Sequence, residues 1–477
     1  MVWLLILVPL LAAVGAAVTP SNRWRPLWVP VGGAAHLVVM GVALALRPSP
    51  ALQGWLALDA LGMLVLGFIS LLFFLCALYA PAYLALRPDR PNRVFCACLL
   101  AMLAMMSLVS LSHHLGLMWV GMEATTLATA PLLYFNHNAR SLEATWKYLL
   151  IGSVGIALAL LGSFFLAYSS LHEGLESTLL LDDLVRSAQQ LSRPWLHAAF
   201  VLLLVGYGTK MGLAPMHTWK PDAYGEAPGL AGALMAGGVT SCAFLAILRF
   251  YRIVVAAGEA AFAREILVFV GLLSMAVGAV FMIRQRDFKR MLAYSSVEHM
   301  GILVLGIGIG GLATFGALLH LVVNGLSKGV LFLSAGNIHR AYDSKLTDDV
   351  RGAIRRLPVS GALFLAGFLA ITGSPPGGPF ISEFTILCGV FNGAHYVVAT
   401  LFLLLLATVF IGMGATVLRV VQGTPSAQAA ATDYQDRPQL VVPIIILMTL
   451  VVMLGVWMPG PLASLLREAV VCVEGRP

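Results

Sequence analysis

The chain is a succession of apolar runs divided by short stretches that hold Pro, Gly and charge. Reading the runs against those breaks predicts helices over 2–19, 28–46, 56–84, 94–112, 114–135, 148–169, 195–216, 228–248, 265–283, 292–311, 312–335, 359–393, 396–418 and 439–458. A hydrocarbon layer about 30 Å thick needs about 20 helical residues, so the pattern reads as about fourteen transmembrane helices. Strand-like alternation is absent, which argues against a β-barrel. The fold class is therefore an all-α polytopic membrane bundle. Between Gly301 and Gly311 small residues mark a turn that divides what would otherwise be one long helix. The first run, Met1 to Val18, ends in small residues as a secretory signal does, but it lacks a basic leading segment. It reads as the first membrane helix, with a cleaved signal as the alternative.

Composition agrees with this pattern: 60% of the 477 residues are hydrophobic and 11% charged, against roughly 25% charged in a soluble domain. The net charge of +7 matters less than its placement. Loops after odd-numbered helices carry 19 Lys and Arg, and loops after even-numbered helices carry 6. Positive loops stay on the cytoplasmic side, so both termini are expected on the outer, periplasmic side of a cytoplasmic (inner) membrane. The acidic stretch Leu171 to Pro194 then lies outside as a short surface helix. Gly423 to Pro438 reads as a flexible cytoplasmic link before the last helix. The six cysteines form no CxxC pair, and Cys96 and Cys98 point to different helix faces, so they read as packing residues. No nucleotide loop, haem motif or iron–sulfur spacing occurs, so no cofactor or metal is expected on this chain, and nucleic acid is not an expected partner.

Within this apolar background a few ionisable groups fall inside the spans: Glu123, Lys210, Glu298, His299, His320, Lys328 and Glu383, with Asp59 near a helix start. Each costs about 2.5–3.5 kcal/mol or more near the bilayer centre, so each needs a partner, water or a function. The structural alternatives differ from group to group. Lys210 lies near enough to a helix end to snorkel. Glu123 would need an ion partner. Lys328 and His320, eight residues apart, share nearly the same helix face, which suits a hydrated lane or buried hydrogen bonding. Glu298 and His299 suit capping or an interfacial position, Asp59 reads as interfacial, and His36 and His113–His114 read as polar packing.

Two helices should be broken. Gly212-Leu213-Ala214-Pro215 follows Lys210 in the seventh, and Gly373-Ser374-Pro375-Pro376-Gly377-Gly378-Pro379 precedes Glu383 in the twelfth. Irregular backbone at membrane depth occurs where protein or water satisfies it, and breaks at matching places in two halves indicate an inverted repeat. The expected organisation is 1–93 (helices 1–3), 94–250 (a first five-helix repeat), 251–419 (a second) and 420–477 (link and helix 14).

The run Gly206-Tyr207-Gly208-Thr209-Lys210-Met211-Gly212-Leu213-Ala214-Pro215-Met216-His217-Thr218-Trp219, followed by Pro221-Asp222-Ala223, resembles the proton-conducting membrane subunits shared by respiratory complex I, Mrp-type cation/proton antiporters and membrane-bound hydrogenases. The resemblance continues through Ala293 to Gly301, His320 to Lys328 and Ser382-Glu383-Phe384. Ser295 to His299 and Pro375 to Phe384 look most like the hydrogenase-4 component F branch, which is similar to chain 4 of NADH dehydrogenase. It implies a proton pathway through Glu123, Lys210, His217, His299, His320, Lys328 and Glu383, with Glu298 as a further member. In two places the chain departs from it. Ser241 stands where many relatives have a second lysine, and Asn324 where many have a second histidine.

On this reading Glu123 and Lys210 form a separable ion pair, attracting by about 4 kcal/mol at about 4 Å and an effective dielectric near 20. Separation releases a proton toward His320, Lys328 and Glu383. The energy has to come from partners: other membrane subunits and a peripheral redox arm with iron–sulfur centres, with nickel and iron in a hydrogenase. Two alternatives are a subunit of a sodium/proton antiporter and a passive membrane anchor for a peripheral enzyme.

Overall fold

The computed structural model describes residues 1–425 and 432–475. Among them the backbone is helical, and extended pairing is limited to four isolated bridges. In chain order the helices are α1 (Leu4–Val18), α2 (Trp28–Leu46), α3 (Ala60–Ala85), α4 (Arg93–Leu111), α5 (Leu115–Leu133), α6 (Ala139–His172), the short α7 (Leu181–Arg186), α8 (Arg193–Met211), α9 (Trp219–Glu226), α10 (Gly229–Leu234) and α11 (Thr240–Ala256). The second half holds α12 (Ala260–Met282), α13 (Phe288–Ile309), α14 (Leu312–Tyr342), α15 (Ala353–Arg356), α16 (Pro358–Ile371), α17 (Gly378–Asn392), α18 (Tyr396–Val421), α19 (Pro438–Val456) and α20 (Gly460–Glu474).

Ten described helices are long and apolar enough to cross a membrane, counting Gly229–Ala256 as one, and α1 and α16 are shorter apolar helices. Outside that set stand α5 and α8, whose apolar character is diluted by Glu123 and Lys210, and α17, which a break shortens to 15 residues. With α8–α9, α10–α11 and α16–α17 each taken as one crossing, the fourteen expected helices are all present.

Both breaks are where the proline-rich runs place them. In the first, α8 stops at Met211, Gly212 adopts φ +80°, and Ala214–Pro215 is cis. Stripped backbone groups find side chains: Ala214 N donates to Ser274 Oγ at 3.0 Å, and Trp219 Nε1 donates to Thr209 O at 2.8 Å. In the second, α16 stops at Ile371, Pro375–Pro376 is cis, and α17 resumes at Gly378. The same succession of packed pairs surrounds each break: α4 on α5, α5 on α6 and α6 on α8, then α12 on α13, α13 on α14 and α14 on α17. Five crossings separate the units, so the second starts from the opposite face, which is the topology of an inverted repeat.

Several sequence expectations change. The expected helix over 148–169 begins nine residues earlier, because Asn138 and Ser141 form a capping box. The stretch 228–248 contains a π turn at Met235–Val239 and runs on to Ala256. A helix not foreseen, α20, follows the fourteenth crossing and packs against α3, α11 and α14. Its Glu474 accepts from Gly311 N at 2.5 Å and Thr314 Oγ1 at 2.7 Å. Part of the expected flexible link, residues 426–431, lies outside the described residues, as does Arg476. The part from 432 onward is docked: Asp436 accepts from Val359 N, Ser360 N and Ser360 Oγ, and Tyr434 donates to Asn337.

Candidate functional site

The helices that frame the first break bring Glu123 and Lys210 together. Lys210 ends α8 and is 1% exposed, so it does not snorkel; its Nζ lies 3.6 Å from Glu123 Oε2. The ammonium also donates to Thr126 Oγ1, one turn on from Glu123 along α5, and lies over the ring of Tyr148. Glu123 is 23% exposed and accepts from Ser153 Oγ at 3.0 Å through its other oxygen. It opens into a lateral cleft of about 360 Å³ lined by Trp119, Ile156 and Phe164 among others. The pair thus has an inner cation in low dielectric and an acid that reaches the edge of the subunit.

The second half holds a longer lane. Lys328 on α14 donates to Ser295 Oγ of α13 at 2.7 Å and is attracted by Glu298. Glu298 is fully buried, which overturns the capping and interfacial readings. Both its oxygens lack hydrogen-bond partners, and Oε2 stands 3.3 Å from His299 Nε2. His299 Nδ1 meets His320 Nε2 at 3.0 Å, and His320 Nδ1 meets Ser382 Oγ at 2.8 Å. Ring nitrogens bonded to each other must share one proton between them, the geometry of a transfer step. Ligand atoms of His299, His320 and Glu383 lie within 4.8 Å of one another. That trio is also a donor set for a metal, but bonds of about 2.0–2.1 Å would require the His299–His320 hydrogen bond to open. Asn324 Oδ1 and Glu383 Oε1 face this interior without partners, places that water can fill.

Three sequence-selected positions stand apart. His217 sits just after the first break, near Phe281 and Tyr294, and its Nδ1 has no hydrogen-bond partner. Ser241 donates to Gly237 O at 2.5 Å, inside the π turn, and reaches no member of the lane. Asp59 caps α3 through Gly62 N and lies 3.3–3.7 Å from Arg249, Arg252 and His113, a structural cluster at one end of the bundle.

Sequence reasoning misassigned three cations to loops. Lys220, Arg249 and Lys289 are all buried. Arg249 donates to the carbonyls of Ser110, Ser112 and Val109 at the end of α4, and Lys289 to Ala227 O at 2.6 Å.

The family model described as "NADH:quinone oxidoreductase/Mrp antiporter, TM" matches residues 112–412, a span that contains both breaks and every lane residue. The chain belongs to this family. It is 36% identical over 374 residues to a "Hydrogenase-4 component F homolog" of Methylacidiphilum infernorum, covering 76% of this chain and 78% of that one. It is 30% identical over 499 residues to "NADH-quinone oxidoreductase subunit N" of Desulforudis audaxviator, covering 98% and 97%. Among solved structures, a chain of respiratory complex I from Thermus thermophilus superposes with a TM-score of 0.83 at 25% identity over the full length of both. A chain of an archaeal membrane-bound sulfane sulfur reductase has the same fold, with a TM-score of 0.88 at 18% identity, covering 99% and 97%. The family is thus one of membrane subunits within multi-subunit complexes.

Proposed function

We propose that this chain translocates protons across the cytoplasmic membrane as a subunit of a redox-driven complex of the hydrogenase-4 or NADH:quinone oxidoreductase type. The observation that supports it most is the run of ionisable groups within the bundle from Glu123 and Lys210 at one break to Glu298, His299, His320 and Glu383 at the other. Every one of those groups can gain or lose a proton, and nothing structural requires so many in one apolar bundle.

With Glu123 close, the ammonium of Lys210 is stabilised by about 4–5 kcal/mol at an effective dielectric near 20. If Glu123 swings toward its lateral cleft, Lys210 keeps only Thr126 and Tyr148, and its proton is better placed on a neighbour. The proton then reaches Lys328, moves through Glu298 and the His299–His320 pair, and leaves by Glu383. Moving one charge against 100 mV takes about 2.3 kcal/mol. This chain brings charge-carrying side chains, and partner subunits with iron–sulfur centres bring the driving electron transfer. In this reading the basic loops face the cytoplasm, and α7, α20 and the Asp59 cluster face outward.

The test is extraction from native membranes in mild detergent, identification of what copurifies, and assay of iron and nickel. Iron–sulfur subunits, with nickel in the hydrogenase case, are the expected result. Small membrane partners without metal, together with sodium-dependent proton exchange, would place the chain in an antiporter instead.

A further inference from the structure

Lys220 stands outside the relay described above, yet its surroundings give it a position in one. It is 0% exposed, one residue into α9 after the first break. Its Nζ donates to Met211 O at 2.6 Å, a carbonyl that the end of α8 leaves without a helical partner. Gly212 lies directly against it, and a Cβ there would meet Lys220 Cδ, Cε and Nζ at 2.5–2.8 Å. The lysine is therefore threaded through the break itself.

Among the described residues no carboxylate pairs with it. The charged and titratable groups around it are His217 and Tyr224 on its own segment, His299 from α13 and Lys328 from α14. One carbonyl accounts for one of three ammonium protons. The Lys220 ammonium lies over the Tyr224 ring, the Tyr224 hydroxyl faces Ser296 and neighbours Tyr148, and Tyr148 Oη continues the row toward Thr126 and Lys210. Lys220 also sits at the negative end of the α8 dipole, and a helix cap alone would put a cation there. A cap, however, gains nothing from standing next to a second buried lysine. Lys220 and Lys328 repel each other, so a proton on one disfavours a proton on the other.

We propose that Lys220 is the proton-carrying station that joins the two halves, receiving from the Lys210 side through the Tyr148 and Tyr224 hydroxyls and passing to Lys328. The step is proton transfer alone: an N–H bond of Lys220 breaks, a hydroxyl or water carries the proton, and an N–H bond forms on Lys328. It rests on the proton-translocation reading above.

The experiment is proton flux by the assembled complex in proteoliposomes, driven by its own electron donor. Lys220→Met should lower flux at least roughly tenfold. Lys220→Arg keeps a cation on the Met211 carbonyl but does not release its proton, and it should block flux as fully. Lys220→His, whose ordinary pKa is about 4 units below that of lysine, should retain partial flux with its pH profile moved to the acid side. Wild-type flux in the Met or Arg variant, or an assembled His variant with an unmoved profile, overturns the proposal. If the Met variant does not assemble, the Arg and His variants decide. Lys210→Ala is measured alongside. Its loss of flux with intact Lys220 variants sinks only this inference, whereas unchanged flux in both sinks the proton-translocation reading as well.

Discussion

In the proposed pathway Glu123 and Lys210 carry the proton through the first half, and their surroundings give sharp expectations. Glu123→Gln leaves the Lys210 ammonium in low dielectric with hydroxyl and aromatic contacts only. Losing even half of an attraction of about 4 kcal/mol amounts to more than tenfold in a proton equilibrium, so flux should fall by about that factor or more. Gly152 provides a second probe. A Cβ at that position would meet Lys210 Nζ at 2.6 Å, so Gly152→Ala displaces the ammonium without touching the acid. Thermal stability should change little, and flux should drop roughly severalfold, because the flexible end of the lysine yields before the backbone does. Wild-type flux in Gly152→Ala would show that the position of the ammonium is not critical. At this scale much was legible in the sequence. An acid and a base inside apolar runs announce themselves by their cost, and Glu123, Lys210, His320 and Lys328 needed no structure. Lys220 was hidden because a proline break followed by polar residues looks the same whether the segment leaves the membrane or turns back into the bundle.

At the scale of elements, the two broken helices were legible because proline removes a backbone donor wherever it stands. Helix α20 was not, since its run is shorter and less apolar than a crossing and its stability comes from contacts with α3, α11 and α14. The Asp59 cluster makes a prediction about α7. His113 lies 3.7 Å from both Asp59 and Asp182. Burial works against its charged form, but those carboxylates more than offset burial and hold its proton above the ordinary range for histidine. Asp182 is held below its ordinary range chiefly by the His113 ring, 3.7 Å away. The signs follow from linkage. The histidine contribution is complete below about pH 6.5 and is lost as pH rises through its raised value. The Asp182 contribution is complete above about pH 4 and is lost as pH falls through its depressed value. Attachment of α7 should therefore be tightest near pH 5–6 and loosen on going to about pH 8–9. Hydrogen exchange over Leu181–Arg186, corrected for intrinsic rates, reads this directly, and Asp182→Asn should flatten the dependence on the alkaline side. An α7 whose protection is constant from pH 5 to 9 would contradict it.

For the whole molecule, the count and order of crossings were legible because lipid thickness sets the length of every run. The asymmetry of Lys and Arg between alternate loops predicts which face is cytoplasmic. Cysteines placed at exposed Arg355 and at exposed Glu173 should label from opposite sides of the membrane, the first from the cytoplasm. How α13 and α14 face each other within the second half could not be read from sequence, since the His299–His320 and Lys328–Ser295 contacts join helices whose facing residues no periodicity specifies. The central claim is that protons cross this bundle by way of Lys210. Its most direct test compares proton flux in proteoliposomes containing the assembled complex with Lys210 or with Lys210→Ala, at matched electron-transfer rate. Flux should fall at least roughly tenfold in the variant, since one buried base is lost from the only lane described; flux equal to that of the unaltered complex would mean that the protons take another path.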